Sequence, residues 1–318
     1  MSVLEIKGLS HRYDDKVLFH DADLQINNGE HVGIVGLNGA GKSTFINILA
    51  GEVLQDEGEV RWQNNIRKTY LDQHAELDRS LTVMEYLKSS FRDLFAMNER
   101  MEALYAGMGE ISDPDRLDEM IRKATDLTDR LTEAGFFELE ANIKKIANGL
   151  GVMNFGYDTV IGTLSGGQRR KVALAKVLAS DFDVLILDEP TSGLDPVSRD
   201  ELLDTFRTLC EQEGVSILFS THITSDLDAC ADTITYIQHG RVAASTDKKT
   251  WTGGYLLLQG SDAACTPALR AACIGARSHK GELEALLRKE DAALAAGFAL
   301  TPANLEQIMV HLEREAEA

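Results

Sequence analysis

Two short stretches of this sequence carry residue types suited to holding phosphate. The first is Gly36-Leu37-Asn38-Gly39-Ala40-Gly41-Lys42-Ser43, followed by Thr44. It fits the pattern G-x-x-x-x-G-K-[ST]. Glycines let the backbone curl so that successive N–H groups point inward at phosphate oxygens. A helix starting near Lys42 aims its positive dipole end at the same anion. Lys42 can then reach the β- and γ-phosphates, and the Ser43 hydroxyl can ligate Mg²⁺. A chance glycine turn is the plain alternative. The apolar strand His31–Val35 before the loop and the apolar helix side Phe45–Leu49 after it argue against chance.

The second stretch is Leu164-Ser165-Gly166-Gly167-Gln168, leading into Arg169-Arg170-Lys171-Val172-Ala173-Leu174-Ala175. A hydroxyl and two glycines at a helix N-terminus make another anion site in physical terms, although an ordinary glycine-rich cap looks the same. One γ-phosphate cannot easily use both elements of one subunit. A head-to-tail dimer, in which the loop of one chain faces Ser165 of the other, resolves this.

Between them in chemistry stand two acids. Val184-Leu185-Ile186-Leu187 reads as a short buried strand and ends in Asp188-Glu189-Pro190. In open α/β sheets ligands bind at the carboxyl ends of the strands. Asp188 is placed to hold Mg²⁺, directly or through water. Glu189 is placed to orient or deprotonate an attacking water. A solvated pair of acids at a strand end is the alternative, weakened by the glycine-rich loop upstream.

The elements that must position these residues alternate between strand and helix. Val3–Ile6 and Leu24–Ile26 read as short strands, with a turn at Asn27-Asn28-Gly29-Glu30. Val215–Phe219 is a further strand. Thr233–Ile237 and Arg241–Ala244 flank a Gln238-His239-Gly240 turn as a hairpin. In the middle, Leu117, Ile121, Ala124 and Leu131 recur at helical spacing, and Asp113-Pro114 is a helix start signal. An earlier helix is expected from Val83 to about Met108, making an inserted helical hairpin. After about residue 250 the composition shifts toward alanine, and a small α/β tail is expected. Strands alternating with helices indicate an α/β sheet with a helical lobe inserted.

With 318 residues, 44% hydrophobic and 26% charged, the chain can bury a sizeable core and is not a disordered tail or a disulfide-stapled mini-protein. The net charge of −19 opposes nucleic acid and anionic lipid unless a local basic patch overrides it, so no direct DNA binding is expected. The four cysteines, Cys210, Cys230, Cys265 and Cys273, form no C-x-x-C pair, and reduced thiols in a cytosolic protein are expected rather than zinc. The N-terminus does not read as a signal peptide, and no stretch has the length of a membrane helix.

Gly36–Thr44, Leu164–Gln168, Leu187-Asp188-Glu189-Pro190-Thr191 and Ser220-Thr221-His222 together resemble an ATP-binding cassette (ABC) ATPase over roughly residues 1–245. The resemblance implies a P-loop nucleotide-binding domain and further roles. Tyr13 resembles the aromatic residue that stacks on adenine. Gln73, in Tyr70-Leu71-Asp72-Gln73, resembles the glutamine that senses Mg²⁺ and the attacking water. Asp195 resembles the aspartate of the dimer-spanning loop, and His222 the histidine that contacts the γ-phosphate.

The two halves of the chain point in different directions. Up to about residue 187 it resembles the soluble F subfamily, which acts on ribosomes, through Lys16-Val17-Leu18-Phe19, Tyr70-Leu71-Asp72-Gln73-His74 and Phe137-Glu138-Leu139-Glu140-Ala141. The stretch from Gln73 to Ser165 is longer than transporter cassettes usually carry. From Asp188 onward the chain is similar to the ATPase subunit of a small bacterial exporter, through Thr191-Ser192-Gly193-Leu194-Asp195-Pro196, Phe219–Asp226 and a tail ending Asn304–Val310. The F subfamily normally has Asn-His-Leu-Asp at Ser192–Asp195 and two cassettes per chain. A chain of mixed origin joined near residue 188 would explain both halves; one lineage with a divergent arm is the alternative. Residues 88–150 hold nine Lys or Arg against thirteen Asp or Glu, an unusual balance for an arm that touches RNA.

The resulting expectation is an ABC-type Mg·ATP hydrolase that works as a closed dimer. Its nucleotide-binding domain would span 1–245, with a core lobe at 1–81 and 180–245 and a helical lobe at 82–179. A small C-terminal domain would span 246–318. The expected cofactors are ATP and Mg²⁺. The expected partners are a second nucleotide-binding domain, as a homodimer, and a separate transmembrane subunit; a ribosome is the partner under the alternative reading. The expected location is the cytoplasm, at the inner face of the cell membrane.

Overall fold

The computed structural model describes the whole chain apart from residues 1, 14–15, 72–76, 110, 112 and 318, and the side chains of residues 210, 212, 213 and 317. The chain divides into two units. The first holds residues 1–73, 182–192 and 203–318, and the second 74–181 and 193–202.

In the first unit, β1 (Ser2–Tyr13) and β2 (Lys16–Asn27) form a long antiparallel hairpin. The first acquires a second neighbour, β4 (Glu57–Trp62). The short strands expected at Val3–Ile6 and Leu24–Ile26 are the apolar base of this hairpin. Its polar tip carries no regular apolar alternation, so the sequence shows only half its length. A six-stranded sheet contains β3 (His31–Val35), β5 (Lys68–Leu71), β6 (Val184–Asp188), β7 (Ser216–Thr221), β8 (Thr233–Gln238) and β9 (Arg241–Asp247). The strand order is β5-β6-β7-β3-β8-β9. All neighbours are parallel except β9, which forms the expected hairpin with β8. Strands β3, β6 and β7 are buried at every residue, as parallel strands covered on both faces must be. Helix α1 (Lys42–Ala50) follows β3 and packs Phe45, Ile46, Ile48 and Leu49 into the core with Ile34, Ile186 and Leu218.

The second unit is helical. The single helix expected from Val83 to Met108 is two, α2 (Val83–Lys88) and α3 (Arg92–Met108), joined by a 3₁₀ turn at Ser89–Phe91. Serine hydroxyls compete with the helix for backbone partners, and Ser89 donates to the Tyr86 carbonyl at 2.6 Å. Helix α4 (Pro114–Glu133) starts where the sequence indicates, with Asp113 as N-cap and Pro114 at its first position. Helix α5 (Phe136–Gly149) follows a left-handed Gly135, so the insertion has more helices than a hairpin. Glu140 of α5 takes Lys88 of α2 at 2.5 Å and its own Lys144 at 2.7 Å. Those two hydrogen-bonded ammonium groups hold its carboxyl down to about 2. Helix α6 (Gly166–Leu178) begins at Ser165, and α7 (Pro196–Glu213) runs from the second unit into the first.

Helix α8 (Thr224–Cys230) lies between β7 and β8. Beyond residue 247 come α9 (Lys248–Gly253), β10 (Tyr255–Ser261), α10 (Pro267–Ala272), β11 (Cys273–His279), β12 (Glu282–Arg288), β13 (Ala299–Pro302) and α11 (Leu305–Glu317). The strands make an antiparallel sheet in the order β11-β12-β10-β13 over Leu258, Leu269, Leu283, Ala285 and Leu287. These elements belong to the first unit, where the Tyr236 hydroxyl donates to Glu313 and the Gln238 side chain donates to the Leu312 carbonyl.

Just before β6, Asp183 receives the backbone N–H of Arg67 at 2.9 Å and its guanidinium at 3.1 and 2.7 Å. The guanidinium bonds, then the backbone bond, hold the Asp183 carboxyl at about 2. A carboxyl depressed in the folded state stabilises it above the unfolded pKa, and that contribution is lost as pH falls from about 4 toward 2. Asp183→Asn is therefore expected to lower stability at pH 7 by about 1 kcal/mol, a figure kept small by solvent screening. Urea denaturation at pH 7 and at pH 3 should show the deficit shrinking at the lower pH.

Candidate functional site

The glycine-rich loop leaves β3 and enters α1. Two of its glycines, Gly36 and Gly41, are required by space. A Cβ on Gly36 would lie 2.4 Å from the Ile237 carbonyl oxygen, and one on Gly41 would lie 2.8 Å from the Phe19 ring, at a φ of +96°. Gly41 is the N-cap of α1 and supplies no side-chain acceptor, so the first-turn N–H groups of the helix lack a side-chain cap. Such groups suit an anion. Lys42 curls back over the loop and donates to the carbonyls of Gly36 at 3.0 Å and Leu37 at 3.1 Å. Burial draws its ammonium below the ordinary lysine value, and the carboxylates of Glu189 and Asp188 push it back up. Asn38, Gly39 and Ser43 are exposed, and Ala40 and Thr44 are half-buried.

The acids stand at the end of β6. Asp188 is its last residue and is buried. Glu189 has a φ of +46°, a left-handed conformation that costs strain for a non-glycine residue. Ser220, paired with Asp188 across β6 and β7, explains how the turn is held. Its hydroxyl donates to the Asp188 carboxylate, and its oxygen accepts the Glu189 N–H at 3.0 Å. His222 then donates through Nδ1 to the Glu189 carboxylate at 2.9 Å. Thr191, next to Glu189-Pro190, donates to the fully buried Asp226 at 2.6 Å. The sequence gives Ser220 no role beyond its place before Thr221-His222. Its signal is a hydroxyl at the end of an otherwise apolar strand, directly before Thr221-His222.

The structure thus gathers Lys42, Asp188, Glu189 and His222 in the first unit. Tyr13, also there, is half exposed at the hairpin tip, and Lys16 opposite it donates to the Gly39 carbonyl at 3.3 Å. Ser165–Gln168 and Asp195 belong to the second unit. Ser165 and Gln168 form a reciprocal capping box: Ser165 accepts the Gln168 N–H at 3.3 Å, and Gln168 accepts the Ser165 N–H at 2.9 Å. In this box the Ser165 hydroxyl serves as acceptor, which leaves its proton able to serve an acceptor outside. Asp195 accepts the N–H and hydroxyl of Ser198 in the first turn of α7, and those bonds lower its carboxyl from the ordinary value. Gln73 lies outside the described residues.

Among the described residues no cluster of three or more His, Cys, Asp or Glu could hold a metal. Magnesium is usually held by one or two protein oxygens with substrate phosphates completing its shell. The Ser43 hydroxyl and the buried Asp188 carboxylate are hard oxygen donors that fit this requirement.

Comparison with known proteins follows the same outline. The family model described as ABC transporter matches residues 19–192. The chain is similar to the uncharacterized ABC transporter ATP-binding protein YfmM of Bacillus subtilis, with 42% identity over 70% of this chain and 42% of that protein. It is similar to ABC transporter F family member 5 of Arabidopsis thaliana, with 28% identity over 75% of this chain and 34% of that protein. It is 30% identical to the energy-coupling factor transporter ATP-binding protein EcfA2 of Clostridioides difficile, over 76% of this chain and 77% of that protein. The chain therefore spans well under half the length of the first two. The fold matches the dimeric bacterial ABC transporter cassette MJ0796 with a TM-score of 0.56 and 19% identity, over 77% of this chain and 98% of that one.

Ser220→Ala deletes the hydroxyl that ties the two acids together. It is expected to lower stability by about 1–3 kcal/mol, the usual cost of breaking a buried polar bridge. Urea denaturation of the variant beside the parent measures it.

Proposed function

The chain belongs to the ABC transporter family, and from that premise we propose that it binds and hydrolyses Mg·ATP as a head-to-tail pair of cassettes. One observation carries this reading: the Glu189 carboxylate, held by His222 at 2.9 Å, leaves the end of β6, and the register of β6, β7 and β3 brings it level with the loop that carries Lys42. A phosphate-binding cation and a candidate base therefore share one rim.

In the proposed mechanism, N–H groups of Gly36–Thr44 and the Lys42 ammonium bind the β- and γ-phosphates. Lys42 would exchange its present bonds to the Gly36 and Leu37 carbonyls for phosphate oxygens. Ser43 and Asp188 would hold Mg²⁺, with Gln73 as a further ligand, and the ion supplies charge neutralisation across the phosphates when bound. Glu189 accepts a proton from the attacking water, and His222 fixes the orientation of that carboxylate and contacts the γ-phosphate. Phosphoryl transfer depends mainly on such positioning and electrostatics. Ser165, Gly166, Gly167 and Gln168 of a second copy close the pocket through the N-terminus of α6, with Asp195 at the dimer-spanning loop. Loss of the γ-phosphate removes the anion joining the two faces, and the pair opens.

For the coupled output we propose transport through a separate membrane subunit, with the chain at the cytoplasmic face of the membrane. The match to EcfA2, whose length this chain largely spans, supports it. No helix among the described residues is long and apolar enough to cross a membrane. A second reading, a soluble F-type ATPase acting on the ribosome, is favoured by helices α3 to α5 and by the F-family relative.

Glu189→Gln keeps the shape of the site and removes the base. ATP turnover is expected to fall roughly 100-fold or more while ATP binding persists and the dimer accumulates in size-exclusion chromatography. Unchanged turnover would remove Glu189 from the mechanism. The same trapped variant should co-purify with a membrane fraction; salt-sensitive co-sedimentation with ribosomes would establish the second output instead.

A further inference from the structure

Histidine 11 is a buried titratable group that the mechanism leaves unused. It lies on β1, 6% exposed, and among the described residues neither ring nitrogen has a hydrogen-bond partner. The nearest charge is the Asp56 carboxylate, 3.6 Å from Nδ1, and the same Asp56 oxygen already accepts the Arg12 N–H at 2.9 Å. A phenylalanine or leucine would fill such a position without two unsatisfied polar atoms. The ring meets the Tyr13 ring edge-on, with centroids 4.9 Å apart and planes at 84°.

The strand explains how they meet. Residues two apart on a strand share a face, and the register of β1 against β2 shifts on both sides of His11. Such irregularities re-aim side chains. Opposite His11 is Phe19, whose ring lies beneath Gly41 and edge-on to Phe45 of α1. Opposite Tyr13 is Lys16, tied to the Gly39 carbonyl. The hairpin tip is thus fixed to the phosphate loop at two places, and the half-exposed Tyr13 ring is braced from below by His11.

We propose that His11 is a positioning residue for the nucleobase: it sets the plane of Tyr13 so that the phenol ring meets the base of a nucleotide whose phosphates sit on Gly36–Thr44. This rests on the proposed nucleotide site and on Tyr13 as its stacking ring. Edge-to-face contacts are directional, so deleting the His11 ring frees the Tyr13 ring to rotate and adds an ordering cost on binding.

Equilibrium ATP binding by calorimetry on the full chain tests the assignment, with inorganic tripolyphosphate as a ligand that has the phosphates and no base. His11→Ala is expected to weaken ATP binding about 3- to 10-fold and leave tripolyphosphate binding unchanged. His11→Phe, which restores a ring edge, should recover ATP affinity. Should the alanine variant not fold, His11→Gln carries the same expectation. In a Tyr13→Ala background, His11→Ala should add no further loss. Equal loss for ATP and tripolyphosphate, a His11→Phe variant as weak as His11→Ala, or full additivity with Tyr13→Ala would each overturn the positioning role. Failure of the parent chain to bind ATP would instead overturn the nucleotide site itself.

Discussion

The register of a buried parallel sheet is the constraint on which the site depends. Asp188 pairs with Ser220 across β6 and β7, and Val35 pairs with Thr221 across β3 and β7. Three strands therefore end at one level. The glycine-rich loop leaves the first of them, the acids leave the second, and His222 leaves the third. A slip by one residue would turn every side chain to the opposite face. With these strands buried on both faces, apolar packing opposes any such slip, and the same packing that stabilises the core fixes the positions of the polar groups.

The rim is electrostatically poised rather than relaxed. Lys42 loses hydration on burial, and its remaining stabilisation comes from two carbonyls and from the carboxylates of Glu189 and Asp188. Each of these is a partner that a triphosphate can replace or compete with. The left-handed Glu189 has a similar logic. Its conformation is unfavourable in isolation and is held by the Ser220 bridge and the His222 contact. Groups held this way need little reorganisation when charge develops beside them.

How much of this was legible in the sequence depends on whether a residue acts locally. The G-x-x-x-x-G-K-S loop, the Asp188-Glu189 strand end and the helix starts at Asp113-Pro114 and Ser165 are set by neighbours within a few positions, and the structure has each as read. The polar tip of the β1–β2 hairpin was not legible, because its pairing partner and not its own periodicity makes it a strand. The break at Ser89–Phe91 was hidden because the flanking segments share a helical period. The role of Ser220 has no local signal because it exists only across two strands far apart in sequence. The left-handed φ of Glu189 has no residue-type signature; glycine marks such a position and glutamate does not.

The elements beyond residue 247 bear on the phosphate loop through backbone rather than side-chain chemistry. Helix α11 anchors Tyr236 and Gln238 through Glu313 and the Leu312 carbonyl. Between those two residues lies Ile237, whose carbonyl occupies the space a Cβ on Gly36 would need. Glu313 also lines, with Lys16, Asn38 and His239, a cleft of about 370 Å³ beside the loop. Burial and then the bond to Glu313 disfavour the charged form of Tyr236, so the hydroxyl that donates to Glu313 keeps its proton at neutral pH. The close fit of Ile237 against Gly36 therefore depends on α11 as well as on the strand that carries it, which makes the C-terminal helix part of the support of the phosphate loop.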